Sequence, residues 1–190
     1  MDWGVDEVAA ATRKSRGQGR YALFRDPLTA SSLDVRRVSL RKTIRQRRRA
    51  VAMDGKTQID RETFYRILQR TLAISGTMPF RTLPWKPHLH LAIFVHRIDD
   101  LPPGLYFLVR DCSQRRALED AFTKVDRWRR SLDCPEELEL YCLIETDARQ
   151  TARDVSCFQE IASDGCFSIG MIAEYEDPLR PYGPTFYPRL

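Results

Sequence analysis

The chain is predicted to fold as an α+β domain, a mixed or antiparallel sheet of about four strands with helices packed on one face. Three observations predict it. Residues 88–96 (HLHLAIFVH) and 166–175 (CFSIGMIAEY) keep a two-residue apolar period, and 105–109 (LYFLV) and 138–144 (LELYCLI) are short apolar runs, all of strand length. Asp99-Asp100-Leu101-Pro102-Pro103-Gly104 between the first two runs has the composition of a reversal, which makes them a hairpin. Segments with helical spacing lie between the remaining runs, and hairpin mixed with helices gives an α+β layer.

Taken in order, residues 1–34 read as an N-terminal extension or linker. Val5–Thr12 has length for two helical turns, Arg13–Arg20 is polar and glycine-containing, and Tyr21, Leu23 and Phe24 are expected to dock on the domain. The domain runs from 35 to 190. Val38, Leu40 and Ile44 give a short helix one apolar stripe, with Ser39 as its N-cap. Asp54-Gly55 is a turn. Asp60 can cap the amides of Glu62 or Thr63, Ile59 and Phe64 can staple, and Phe64, Ile67, Leu68 and Leu72 extend a helix over 61–72. Gly76–Pro87, with Pro79, Pro84 and Pro87, is a loop.

In the strand after that loop, Leu89, Leu91, Ile93 and Val95 share one face, and His88, His90, Phe94 and His96 the other. Ser113 is placed to cap a helix carrying Leu118, Ala121, Phe122 and Val125. Residues 147–162 read as one helix through Ala152, Val155, Gln159 and Ala162, broken by Asp164-Gly165. Pro178, Pro181, Pro184 and Pro188 exclude a long helix from the tail.

With 190 residues, 43% of them hydrophobic and 30% charged, the chain can bury one core. No window approaches the roughly 18 apolar residues of a membrane span, and the opening lacks an apolar signal core, so no membrane partner and a cytoplasmic location are expected. Five cysteines without a C-x-x-C pair fit reduced thiols and argue against a zinc ribbon or disulfide framework. His88 and His90 form an H-x-H that could grip a metal, but no carboxylate or cysteine stands near them in sequence, so no metal is assigned and the face reads as a polar sheet surface. Serine-nucleophile elbow, P-loop and dinucleotide-binding glycine motifs are all absent, and Cys157 and Cys166 carry no activating pattern.

Charge is concentrated in one place. Arg36, Arg37, Arg41, Lys42, Arg45, Arg47, Arg48 and Arg49 fall between residues 35 and 53, where there is no Asp or Glu, and the chain's net +5 becomes −3 without them. Grouped guanidiniums cannot be buried unpaired, so the segment must face water or an anion. Three uses compete: a solvated face, a nucleic-acid arm, and a compact phosphate site built on the arginine fork. The run lacks the aromatics that would stack bases, which disfavours nucleic acid.

The sequence beyond the run narrows the choice. Ile44–Gly55 (IRQRRRAVAMDG), Phe64–Leu68 (FYRIL), Ala92–Asp99 (AIFVHRID), Leu101–Tyr106 (LPPGLY) and Gln159–Ala162 (QEIA) together resemble the FMN-dependent nitroreductase superfamily, in the branch with thiazoline and oxazoline dehydrogenases. The likeness covers about residues 35–187. It implies a nitroreductase-like fold and hydride transfer through FMN, from NAD(P)H or an organic substrate such as a peptide heterocycle. It also implies a cofactor held between two copies of the fold, in a homodimer or by pairing with a second nitroreductase-like domain. By the same resemblance Arg47 and Arg48 match the family's two phosphate-binding arginines, and Arg49 stands where its serine would be. The family's Pro-Ser-x-x-x-x-Gln-Pro flavin loop has no match in 76–87, and no catalytic proton donor is assigned. Relatives continue beyond the segment resembling Tyr182–Leu190, so a partial domain is expected, with a degenerate or truncated scaffold acting through protein partners as the alternative.

Overall fold

Apolar alternation along the strands builds the sheet at the centre of this computed structural model, which describes residues 6, 9–10, 13, 39–47, 50–73, 80, 87–125, 127–184 and 187. The strands are β1 (Leu89–Val95), β2 (Gly104–Val109), β3 (Arg129–Arg130), β4 (Glu139–Glu145) and β5 (Phe167–Ala173). Their spatial order is β3-β4-β2-β1-β5, and every pairing is antiparallel. The protein is therefore α+β. The expected four strands become five because β3, a pair of arginines against Tyr141 and Cys142, is too short to carry any periodicity.

The β1–β2 hairpin forms as the sequence indicates, Leu91 opposite Leu108 and Val95 opposite Gly104. Gly104 is required by space: a Cβ there would lie 2.3 Å from the Ile144 carbonyl oxygen and 3.2 Å from the Glu145 Cα, both backbone atoms. The register between β2 and β4 shifts at the next residue, between Leu105 and Tyr106.

The expectation that helices cover one face is corrected. Helix α2 (Arg61–Gln69) buries Phe64, Tyr65 and Leu68 against Leu91, Ile93, Val95, Tyr106, Leu108 and Leu140. The alternate residues Phe107, Val109, Tyr141 and Leu143 face the other way, where Leu118, Phe122 and Trp128 cover them. Helix α3 (Arg115–Ala121) supplies Leu118 to that side. Both faces of β2 and β4 are apolar, so both require cover.

Local signals decide the helix ends. Asp60 Oδ1 accepts from the Thr63 amide at 2.7 Å and Asp60 Oδ2 from the Thr63 hydroxyl at 2.8 Å, so the cap stands at the residue the sequence indicates, although α2 stops at Gln69 rather than 72. The cap ahead of α3 is Asp111 rather than Ser113: its Oδ1 accepts from the Ser113 amide at 3.0 Å and begins a 3-10 turn over Cys112–Gln114. The single helix expected over 147–162 is two, α4 (Arg149–Val155) and α5 (Ile161–Asp164). Cys157 and Phe158 between them take left-handed backbone, φ 55° and 61°, and the Phe158 amide turns back onto the Arg153 carbonyl at 2.9 Å. Among the described residues of the tail the α-helix is α6 (Glu176–Tyr182), seven residues long. The expectations for Tyr21, Leu23, Phe24 and nearly all of the 76–87 loop lie outside the described residues, as does most of Val5–Thr12.

Candidate anion site at the end of the sheet

The basic segment opens with helix α1 (Leu40–Gln46), whose Ser39 cap is present: the Lys42 amide reaches Ser39 Oγ at 3.5 Å and the Thr43 hydroxyl donates to the Ser39 carbonyl at 3.2 Å. No residue of α1 is buried. Leu40 and Ile44, the expected apolar stripe, are 74% and 66% exposed, so every side of the helix meets solvent. Arg47 caps its C-terminus and is exposed. Arg48 and Arg49 lie outside the described residues.

The chain leaving the run is tied down within a few residues. Asp54 Oδ1 accepts the amides of Lys56 and Thr57, each at 2.9 Å, and its Oδ2 accepts the Thr57 hydroxyl. That hydroxyl and those amides hold the Asp54 carboxyl down at about 2. Gly55, with φ 67°, makes the turn.

Arg97 then fastens the loop to the sheet. It lies just beyond the end of β1, and its Nε donates to the Thr57 carbonyl at 3.1 Å while Nη2 donates to the carbonyls of Gly165, at 2.9 Å, and Asp164. Cys166 Sγ also reaches the Thr57 carbonyl, at 3.2 Å, and the Asp99 amide donates to the Ile59 carbonyl at 3.0 Å. One guanidinium thus joins the segment after the arginine run, the end of β1 and the close of α5.

Arg97 lines an open groove of about 450 Å³ together with His96, Pro103, Glu145, Thr146, Asp147 and Arg149. A second hollow of about 390 Å³ shares Asp147 and Arg149 and continues past Arg153 and Asp164. His96 is 6% exposed, and its Nε2 bonds the Ala162 carbonyl at 2.9 Å. A carbonyl only accepts, so the proton is on Nε2 and Nδ1 is bare, with no partner among the described residues. Burial pushes the His96 pKa down. Arg149 holds Asp147 bidentately, Nε to Oδ1 at 2.9 Å and Nη2 to Oδ2 at 2.6 Å, which keeps that carboxyl at about 2.

His96 follows the end of β1 at Val95, and its ring bonds the Ala162 carbonyl of α5. His90 lies on the α3 side, stacked on Phe107, and its Nδ1 accepts the Arg110 amide at 3.1 Å. That bond occupies a nitrogen that an H-x-H ligand could use, leaving His90 neutral with its proton on Nε2. Burial raises the pKa of the Cys142 thiol and pushes that of Cys134 up to about 11, so neither of these two is activated. All five cysteines are free.

Of the three sequence-derived site residues, only Arg47 is described. Arg97, Arg149 and Arg153 escape a reading of the sequence, since none stands in a charge run; the one available signal is Arg97's place at a strand end, where the chain leaves the sheet. Among the described residues no helix is long and apolar enough to cross a membrane. Comparison with family profiles, curated proteins and solved structures finds no match for this chain.

Proposed function

We propose that the chain is an FMN-dependent oxidoreductase of the nitroreductase type, with Arg47, Arg48 and Arg49 holding the cofactor phosphate. One observation carries the reading: the arginine-bearing segment is exposed on all sides at α1, yet the chain leaving it is anchored to the sheet end by Arg97. A solvated charge run has no need of such an anchor. A phosphate site does, because cations must be held in place to act together.

The residues present fit a phosphate monoester. Residues 35–53 contain no Asp or Glu, and no residue of α1 is buried. Forked guanidinium donors match the oxygens of a phosphate in shape as well as charge. FMN, when bound, would supply the hydride chemistry, accepting from NAD(P)H or an organic substrate and passing electrons to an acceptor. The chain's own part is placement: charge from the run, and a wall from the sheet end. Pairing with a second copy, or with another nitroreductase-like domain, would supply the remaining wall. Five free thiols support a reducing, cytoplasmic setting.

Titration of FMN into wild type and Arg48→Ala tests the phosphate role. The variant should bind at least tenfold more weakly, about 1.4 kcal/mol; equal affinity would remove Arg48 from the site.

A second reading, a catalytically silent scaffold working through protein partners, is favoured by β5. This edge strand has no charge and no proline over Phe167–Ala173, and exposes Ile169, Ile172 and Met171, the last to 72%. Edges left so unguarded invite association.

A further inference from the structure

Strand β5 ends the sheet: it pairs with β1 on one side, and on the other it meets no strand among the described residues. The pairing with β1 decides which groups the open edge presents. At one end of the strand the His96 amide donates to the Cys166 carbonyl at 3.0 Å, and at the other the Glu174 amide donates to the His88 carbonyl at 3.1 Å. Cys166 and Glu174 therefore turn their backbone groups to β1, and by alternation so do Ser168, Gly170 and Ile172. Phe167, Ile169, Met171 and Ala173 turn theirs outward. Such a row of donors and acceptors, on a strand with neither charge nor proline, is a template for one more strand.

The strand that fits this template is β5 itself. Turned about a two-fold axis at Gly170, all seven residues of β5 lie along those of a second copy, Phe167 opposite Ala173 and Ile169 opposite Met171. In that register each outward residue meets an outward residue, which gives about eight backbone hydrogen bonds. Ile169 and Met171 stand on the α2 side of the sheet, opposite Ile93 and Leu91, and are 42% and 72% exposed; the pairing sets each against the other's copy. Gly170 falls on the axis, and a Cβ there would meet Ala92 alone, at 3.8 and 3.9 Å, which is ordinary contact. The antiparallel sense also keeps the acids that follow the strand, Glu174, Glu176 and Asp177, away from their own copies, with about 27 Å along the strands between the two Glu174 positions. The sheet's other edge, β3, is two exposed arginines and offers β5 no match, so the contact closes as a dimer instead of running on as a filament.

We propose that β5 is a homodimer interface: two copies of this chain join edge to edge, antiparallel about Gly170, so that the five strands of each form one continuous sheet. The pairing calls on no residue of the arginine run and does not depend on a bound flavin.

The test is sedimentation velocity of the flavin-free wild-type chain over a dilution series, beside Met171→Lys, with oxidation of Gly170→Cys followed on non-reducing gels. A dimer that dissociates on dilution is expected. Met171→Lys sets like charges on both sides of the axis and should weaken association at least tenfold. Facing residues that share no hydrogen bond have Cα atoms about 4.5 Å apart, within reach of a disulfide, so Gly170→Cys should give a cross-linked dimer well above the level of wild type with its five cysteines. Hydrogen exchange of the β1 amides reports whether β5 stays on the sheet in each variant; if Met171→Lys loses it, the Gly170→Cys cross-link decides. A wild-type chain that is monomeric at every concentration, a dimer unmoved by a folded Met171→Lys, or a Gly170→Cys that does not cross-link would each overturn the proposal. The FMN titrations are read separately, so either proposal can fail alone.

Discussion

Gly104→Ala tests the sheet end most sharply. The added methyl would sit 2.3 Å from the Ile144 carbonyl oxygen and 3.2 Å from the Glu145 Cα, and neither can rotate away because both belong to the backbone of β4. Ordinary contact needs roughly 1 Å more. The strands must part at the point where Gly104 pairs with Glu145 and where the Thr146 amide donates to the Pro103 carbonyl at 3.1 Å. Overpacking of this kind costs about 1–3 kcal/mol and a lost hydrogen bond about 1 more, so the expected loss is about 2–4 kcal/mol. For a chain of this length that lowers Tm by roughly 4–16 °C. Urea unfolding followed by circular dichroism should show a lower midpoint at unchanged slope. A stability within about 0.5 kcal/mol of wild type would refute the steric reasoning.

Three further outcomes are expected. Leu68→Ala removes a fully buried side chain from the core under α2 and should cost about 2–5 kcal/mol in denaturant unfolding; a cost under about 1 would mean the helix is not seated as described. His96 and His90 are both held neutral by burial, their pKa values depressed below that of the unfolded chain. The unfolded state therefore binds more protons once pH falls below about 6.5, and stability should drop with falling pH until the depressed pKa values are passed, then level off. His96→Gln should flatten that slope, and an unchanged slope would exclude His96 as a source. With a thiol reagent on the native protein, exposed Cys112 and Cys157 should react first and buried Cys142 only on unfolding; early reaction of Cys142 would contradict its place between β2 and β3.

Most of the architecture was legible because it is written in local periods. The alternating Leu89, Leu91, Ile93 and Val95 and the turn residues 99–104 led directly to the hairpin, and Asp60 with its apolar stripe to α2. What escaped had no local signature. Two arginines make β3 only because β4 is alongside them. Nothing in Ser156-Cys157-Phe158 announces a helix break, since left-handed backbone usually announces itself by glycine or asparagine and here falls on a cysteine and a phenylalanine. Cover on both sheet faces is visible only when the apolar residues of β2 and β4 are counted together, rather than strand by strand.

The candidate site divides in the same way. A charge run is visible in any sequence, and the Ser39 cap with it. The clasp at Arg97 joins residues 40, 67 and 68 positions apart, and no pattern within a window of about ten or twenty residues contains it. His96 illustrates the limit: its ring bonds the Ala162 carbonyl, 66 positions away, and no local pattern contains that bond.

Whether this arginine-opened domain holds a flavin is tested most directly by the visible absorption spectrum of the purified protein, recorded before and after addition of FMN and desalting. Retained flavin bands, lost in Arg48→Ala, are the expected result. A protein that emerges colourless and passes added FMN straight through the desalting column would contradict the oxidoreductase reading and leave the partner-binding scaffold in its place.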